Sequence, residues 1–307
     1  MKTPEYALLF LLGAIWGLSY VFIRVASPLF GPALLVGLRV AIASGATVLY
    51  IGASGQWKTA LPSFRTKGRQ YFVMGLINAA IPFTLISISE LVLDASYASI
   101  LNATTPVFSA LATAAWMSRP LTPRVAGGIA IGIAGVAIAV GGAPFTLSPL
   151  VLGAVALSLI ASASYGVGAF YAHRHTLDVP PVTASLGQTL AATVLIFPFA
   201  VAEAPTARWT LPGTESLLGL ALLSTFFAYL LYFRILQKAG PTETVTVTFL
   251  IPIFGVVWGH LLLGEPIGIA TVVGLAVVLI GIALVTGYRL RFASTPTSTE
   301  SPVEEKA

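Results

Sequence analysis

Cysteine is absent from this sequence, and charged residues are scarce. With no cysteine among its 307 residues, the chain can form neither disulfides nor thiolate metal sites, and it has no cysteine nucleophile. Lys, Arg, Asp and Glu make up only 9% of the residues, whereas a soluble domain averages about 25%. No HExxH, GxSxG or paired-carboxylate arrangement occurs. We therefore expect no enzyme, no catalytic or metal-binding residues and no cofactor.

Hydrophobic residues, in contrast, dominate the chain. They account for 57% of it, and the mean hydropathy is +0.92. Apolar stretches recur along almost the whole length and reach the roughly 20 residues that cross a bilayer core as a helix. These features predict an all-α integral membrane protein. The lipid bilayer is then its solvent, and the formal charge of +5 fits loop topology better than nucleic acid binding.

Hydropathy, together with the Pro, Gly and charged breaks, predicts ten transmembrane helices. The first is too long for a signal-peptide apolar region, so we expect it to remain in the mature protein. The predicted spans are 6–27, 32–53, 71–93, 95–117, 123–142, 149–173, 182–202, 215–238, 242–264 and 266–288.

Lys and Arg are concentrated in alternate loops. The basic loops follow the even-numbered spans, and they contain Lys58, Arg65, Lys67, Arg69, Arg119, Arg124, Arg174, Lys238, Arg289 and Arg291. Basic residues favour the cytoplasmic side of a membrane. The pattern therefore predicts that both the N- and C-termini are cytoplasmic.

The two halves of the chain are related by an internal repeat. The segment PVFSALATAAWMSRP from Pro106 aligns with PIFGVVWGHLLLGEP from Pro252, and further Pro and Gly residues coincide at the same offset. Five spans in each half, an odd number, force the second half to cross the membrane in the opposite sense. We predict a five-helix repeat at 5–143, an inverted one at 144–288, and a disordered cytoplasmic tail at 289–307.

These residues resemble the EamA-type transporters of the drug/metabolite transporter superfamily. The resemblance covers nearly the whole chain and rests on Trp16, Gly17, Phe22, Arg24, Arg39, Pro252, Phe254, Gly264, Glu265, Pro266 and Gly274. Among the family branches the chain is most similar to bacterial exporters of amino acids, including aromatic ones. The resemblance implies a bacterial inner (plasma) membrane protein with a central cavity between its repeats.

Candidate substrate-binding residues are polar or aromatic side chains near mid-depth. Asn102 belongs to a polar stripe on the fourth span, which either lines a cavity or joins helices through hydrogen bonds. Aromatic rings could contact an apolar side chain or an ammonium group, or simply pack. The predicted set is Trp16, Tyr20, Asn78, Asn102, Tyr165, Tyr229, Thr246 and Thr248. Spans one, three, four, six, eight and nine are the expected cavity lining.

Three charged residues within or near the spans each have a functional and a structural interpretation. Arg39 either extends to the interface, which its position favours, or binds a substrate carboxylate. Glu90 and Glu265 are candidates for proton coupling, although a solvated carboxylate at a span end is the simpler account.

The glycines of spans five and ten, including Gly127, predict close helix packing.

Together these features predict a secondary transporter that exports amino acids or related small metabolites by alternating access. No ATP-binding loop of the Walker type occurs. A drug or nucleotide-sugar carrier, a channel and a membrane-embedded lipid-modifying enzyme are the alternatives. The expected partner is a small-molecule substrate, and the sequence leaves open whether the protein forms a homodimer.

Overall fold

The computed structural model describes residues 3–116, 121–143, 148–176, 178–239 and 247–287. Every regular element within these ranges is helical, which confirms the predicted all-α membrane class. The predicted tail lies outside the described residues. In chain order the helices are α1 (Thr3–Phe30), α2 (Pro32–Ala53), α3 (Trp57–Gly75), α4 (Ile81–Ser89), α5 (Ala95–Asn102), α6 (Thr105–Trp116), α7 (Pro123–Gly141), α8 (Pro149–His175), α9 (Pro181–Glu203), α10 (Leu211–Leu218), α11 (Ala228–Ala239), α12 (Val247–Leu263) and α13 (Ile269–Thr286).

The number of spans agrees approximately with the predicted ten. Eight helical stretches in the described ranges are long and apolar enough to cross a membrane, and α12 is a shorter apolar helix. The predicted fourth span is divided into α5 and α6 by a turn at Ala103 and Thr104. Lys67 has non-helical angles (φ −119°, ψ 18°), so the third span is preceded by a separate helical segment.

Proline and hydroxyl side chains define where several helices begin. Pro123 and Pro149 occupy the first helical position of α7 and α8, where the missing N–H has no intrahelical partner to lose. The preceding Thr122 and Ser148 accept hydrogen bonds from backbone N–H groups three residues later, each at 3.3 Å. These caps satisfy donors that lipid could not.

The two prolines that aligned in the repeat have different effects. Proline removes a backbone donor and can interrupt a helix. Pro106 does lie beside the break, in the first turn of α6, but Pro252 lies within the continuous helix α12. Neighbouring helices allow a membrane helix to continue through proline, so the equivalence of the two residues in sequence does not extend to equivalent kinks.

Equivalent helices of the two halves pack in an exchanged manner. A Cβ atom built on Gly17 of α1 would lie 2.5 Å from the Cβ of Phe254 in α12. Likewise, a Cβ atom on Gly166 of α8 would lie 2.8 Å from the Cβ of Phe108 in α6. Phe108 and Phe254 coincide in the repeat alignment. Each half therefore packs its first helix against the fourth helical region of the other half.

Helices α7 and α13 meet along glycine residues. A Cβ atom on Gly135 would lie 2.6 Å from the backbone N of Val278, and one on Gly281 would lie 2.6 Å from the backbone N of Gly132. These close approaches confirm small-residue packing for spans five and ten. Gly127 is an exception, because no atom among the described residues lies within 4 Å of its built Cβ. The prediction of close packing was wrong for Gly127, which faces away from the seam.

Two π-helical segments occur at related places in the halves. Leu76–Ala80 joins α3 to α4, and Gly219–Phe227 joins α10 to α11. At the offset that pairs Pro106 with Pro252, the first segment falls within the second. π-Helical segments are rare in proteins, and those that do occur are often found at functional sites. Here they contain Asn78 in one half and Thr225 in the other.

The ends of the bundle differ in charge. The basic end carries the turns 54–56 and 178–180, and there Lys67 contacts Asp178 and donates to the His175 carbonyl at 2.8 Å. The hydrogen bond from Lys67 to the Asp178 carboxylate lowers the pKa of this exposed carboxyl. The acidic end carries the turns 90–94, 204–210 and 264–268. The equivalent helices α1 and α8 finish at opposite ends, as inverted halves require.

Candidate substrate cavity

A cavity of about 730 Å³ lies between the two halves. Its volume falls in the range of roughly 300–1,000 Å³ that is usual for small-molecule sites. Its lining begins with Ile23 and Ile86 toward the acidic end and reaches Thr176 and Val179 in the turn at the basic end. The cavity therefore approaches the surface at the basic end.

Seven of the eight predicted substrate-binding residues line this cavity. They come from six different helical segments, which only the tertiary structure brings together. The seven are Trp16, Tyr20, Asn78, Asn102, Tyr165, Tyr229 and Thr248. Thr246 lies outside the described residues. Their position on the cavity makes them available to a ligand, and substrate contact stays a prediction.

Asn102 lies at the end of α5, immediately before the helix break. Its Nδ2 donates a hydrogen bond of 2.6 Å to the Tyr20 hydroxyl, and its Oδ1 accepts bonds of 3.3 Å from Thr105 and Ser162. The side chain therefore joins α1, α6 and α8 and also faces the cavity. Both roles considered from the sequence, hydrogen bonding between helices and cavity lining, apply to this residue.

Trp16 forms part of an aromatic wall. Its indole Nε1 donates to the Ser224 carbonyl at 3.2 Å, within the second π-helical segment. Its ring centroid lies 6.4 Å from that of Tyr229 and 5.7 Å from that of Tyr232. These distances are typical of packed aromatic pairs, so the indole is held rigidly at the edge of the cavity.

Arg39 does not extend to the membrane interface, and the interpretation favoured from the sequence was wrong. The residue is only 6% exposed and lines the cavity. Its Nε donates to Thr225 Oγ1 at 2.9 Å, and its guanidinium carbon lies 3.8 Å from the ring centroid of Phe83. These contacts hold the side chain inside the bundle, where a sequence pattern alone could not place it.

Two further spans contribute to the lining beyond those we expected. Arg39 comes from α2, and Ser185 and Gln188 come from α9. Gln188 donates to the Tyr229 hydroxyl at 3.0 Å. A Gln within the apolar span 182–202 was the available sequence signal, because a polar side chain facing lipid is costly.

Carboxylates from the second half close the acidic end. The Glu265 carboxylate accepts backbone N–H bonds from Ala95 at 2.7 Å and Ser96 at 2.9 Å. Glu203 Oε2 similarly accepts from Ala33 at 2.7 Å and Leu34 at 3.0 Å. Both cap the first turn of a helix in the other half, where an anion is electrostatically favourable. These four bonds join the two halves at the acidic end.

Two acidic residues here were expected to be solvated, and that expectation was wrong. Glu265 is 6% exposed because it caps α5, and Glu90 is fully buried. The Arg24 guanidinium donates to the Glu90 backbone carbonyl and lies 3.6 Å from Asp94. Burial and the nearby charge of Glu265 raise the pKa of Asp94, which Arg24 opposes. The turn is thus tied to α1 by polar contacts.

A multi-pass helical bundle with a cavity between its two halves is an architecture found in many membrane transporters. The model of the EamA-like transporter family matches residues 3–141 and again residues 152–287. The chain belongs to this family.

The curated relatives are also transporters by name. An uncharacterized transporter of Archaeoglobus fulgidus is 25% identical over 280 residues, covering 89% of this chain and 95% of its own length. The uncharacterized inner membrane transporter YedA of Escherichia coli K12 is 26% identical over 295 residues, covering 95% and 94%. The uncharacterized transporter YvbV of Bacillus subtilis is 26% identical over 288 residues, covering 92% of each chain.

A solved crystal structure has a similar fold. It aligns with a TM-score of 0.64 at 16% sequence identity and covers 92% of this chain and 96% of its own. At that identity the similarity concerns the fold alone.

Proposed function

We propose that this protein is a secondary carrier that exports amino acids, aromatic or otherwise hydrophobic, or related small metabolites by alternating access. The observation that carries the proposal is the cavity, which combines an aromatic wall with a few polar groups and, among the described residues, is lined as far as the turn at the basic end. Its volume of about 730 Å³ is in the range of sites for small molecules.

The proposed orientation places the basic end and both termini in the cytoplasm of a bacterium, with the protein in the inner membrane. The loop distribution of Lys and Arg supports this orientation, and the relative YedA is named as an inner membrane transporter. The cavity would then receive substrate from the cytoplasm. Release would require the Glu203 and Glu265 caps to separate from the helices of the first half.

Counterflow in proteoliposomes tests the proposal. Vesicles containing purified protein are loaded with unlabelled phenylalanine and diluted into labelled phenylalanine. A carrier accumulates label transiently, because exchange is saturable, whereas a channel or an enzyme does not. Protein-free vesicles are the control. Absence of counterflow with every amino acid, together with exchange of lipophilic cations or nucleotide sugars, would instead assign the protein to the alternative carrier classes.

A further inference from the structure

Arg39 places its guanidinium on the wall of the cavity. In the described structure its guanidinium makes one hydrogen bond, from Nε to Thr225 Oγ1 at 2.9 Å. The two terminal nitrogens, which carry four N–H groups, have no hydrogen-bond partner among the described residues. Buried charges are ordinarily paired and hydrogen-bonded. The donors of Arg39 are therefore available to a ligand in the cavity.

No acidic side chain among the described residues forms an ion pair with this cation. The ion pairs among the described residues join Arg24 to Asp94 and Lys67 to Asp178, and the cavity lining includes no Asp or Glu. The buried Glu90 exerts an electrostatic effect on Arg39, but neither of its carboxyl oxygens has a hydrogen-bond partner in the described structure. No described carboxylate therefore hydrogen-bonds to the terminal nitrogens of Arg39, and that position is open to an anionic ligand.

The guanidinium is also held in a fixed orientation. Phe83 covers one face at 3.8 Å, and Thr225 binds the Nε edge. Thr225 in turn donates to the Leu220 carbonyl at 2.7 Å within the π-helical segment. The remaining edge consists of the terminal nitrogens, and a planar guanidinium edge matches a carboxylate in bidentate geometry.

The surroundings of Arg39 suit the rest of an amphipathic molecule. Tyr20, Tyr165 and Tyr229 all lie within electrostatic reach of the guanidinium, and each lines the cavity. Their rings provide apolar surface, and their hydroxyls provide polar points on the same walls. A ligand with one carboxylate and one apolar or aromatic body would satisfy both features.

We infer that Arg39 binds the carboxylate of the transported molecule, so that the substrates are amphipathic carboxylates and the α-ammonium group is dispensable. This inference rests on the proposed carrier function and makes it more specific. Amino acids are then recognised through their carboxylate, because the described lining offers no acid to pair with an ammonium. Lipophilic cations are disfavoured by the same buried charge.

Analogues of one substrate test this without changing the protein. Phenylalanine, 3-phenylpropionate, which lacks the ammonium, and phenylalanine amide, which lacks the carboxylate, are compared as inhibitors of phenylalanine counterflow. The inference expects 3-phenylpropionate to compete and the amide to be weaker by roughly 10- to 100-fold, the effect of losing hydrogen bonds to a charged group. An amide that competes as well as phenylalanine would refute it.

Variants of Arg39 locate the effect. Arg39→Gln should raise the half-saturation concentration of phenylalanine by roughly 10- to 100-fold and leave inhibition by the amide unchanged. Arg39→Lys should recover only part of the affinity, because an ammonium cannot bind in the bidentate manner. Arg69→Gln makes the same change at an exposed position of the basic end and serves as the matched control. An Arg39→Gln protein with native affinity would overturn the assignment.

A binding measurement separates this inference from the proposed function. Thermal stabilisation of the detergent-purified protein by 3-phenylpropionate reports binding without transport. Stabilisation that is present in wild type and lost in Arg39→Gln supports the carboxylate site even if counterflow fails. Counterflow without any discrimination between the acid and the amide refutes the site while leaving the carrier function intact.

Discussion

Replacing Gly274 by alanine should destabilise the fold, although alanine is the better helix former. The added Cβ would lie 2.6 Å from the Cβ of Ala139, 2.7 Å from its backbone N and 2.8 Å from its Cα. These atoms belong to the backbone or are fixed directly to it. No rotamer change can relieve the contact, so α7 and α13 must separate.

The magnitude follows from two opposing terms. Overpacking a close contact costs about 1–3 kcal/mol, and the rigid neighbours place Gly274→Ala toward the upper end. Removing a helical glycine returns about 0.5–1 kcal/mol. The net destabilisation should be about 1–2 kcal/mol. Gly127→Ala, on the partner helix, meets no atom of a described residue within 4 Å of its built Cβ and should gain only the second term.

Thermal unfolding of the detergent-purified variants measures both effects. A change of 1 kcal/mol moves the midpoint by about 2–4 °C in a chain of 150–250 residues, so somewhat less is expected here. Gly274→Ala should unfold below wild type and Gly127→Ala at or above it. Equal midpoints for the two variants would show that the helices are not in the close contact described, and the glycine seam would have to be rejected.

Four further outcomes are expected. Asn102→Ala should raise the half-saturation concentration for phenylalanine counterflow, because a cavity-facing amide and its bond to Tyr20 are lost; unchanged binding in a folded protein would leave the residue as structural glue. Glu265→Ala should lower the thermal midpoint more than Glu215→Ala, an exposed control, because loss of a helix cap costs about 0.5–2 kcal/mol. Cysteines at the exposed Lys58 and Thr206 should react oppositely with an impermeant thiol reagent in intact cells, with labelling at 206 alone; labelling at 58 alone would reverse the proposed topology. The interaction with Lys67 lowers the pKa of Asp178. The stability that this interaction contributes is therefore present above the unfolded pKa of about 3.9, and it is lost as the pH falls through the lower folded pKa. Asp178→Asn should therefore reduce stability equally at pH 7 and pH 5, and a difference between wild type and variant that grows toward lower pH would contradict the sign.

The class of fold and most of the cavity candidates could be predicted from the sequence. Long apolar stretches must be helical in lipid because backbone groups have no other partners. Polar residues at mid-depth, such as Asn78 and Asn102, must face away from lipid. The bundle interior was thus the expected place for them, and seven candidates line one cavity.

Local rules were insufficient wherever a partner came from a distant part of the chain. The orientation of Arg39 depends on Phe83 and Thr225, and the burial of Glu265 depends on the first turn of α5. A long side chain near a span end, such as that of Arg39 or Glu265, can either extend to water or turn inward. Its neighbours determine which conformation is favourable. Gly127 and Gly128 are likewise adjacent in sequence, yet only Gly128 faces α13.

The sequence by itself determined that this chain is a helical membrane protein, because a bilayer favours long apolar segments that satisfy their backbone hydrogen bonds as helices. The aligned Pro and Gly residues likewise showed that its halves are related. Only the tertiary structure decided which carboxylates join the halves at the acidic end, and that Arg39 faces the cavity without an ion-pair partner among the described residues. Those features depend on contacts between the halves, such as Glu203 with the first turn of α2 and Arg39 with Thr225. Hydropathy and spacing report the environment of a residue, but they do not identify the group that it meets.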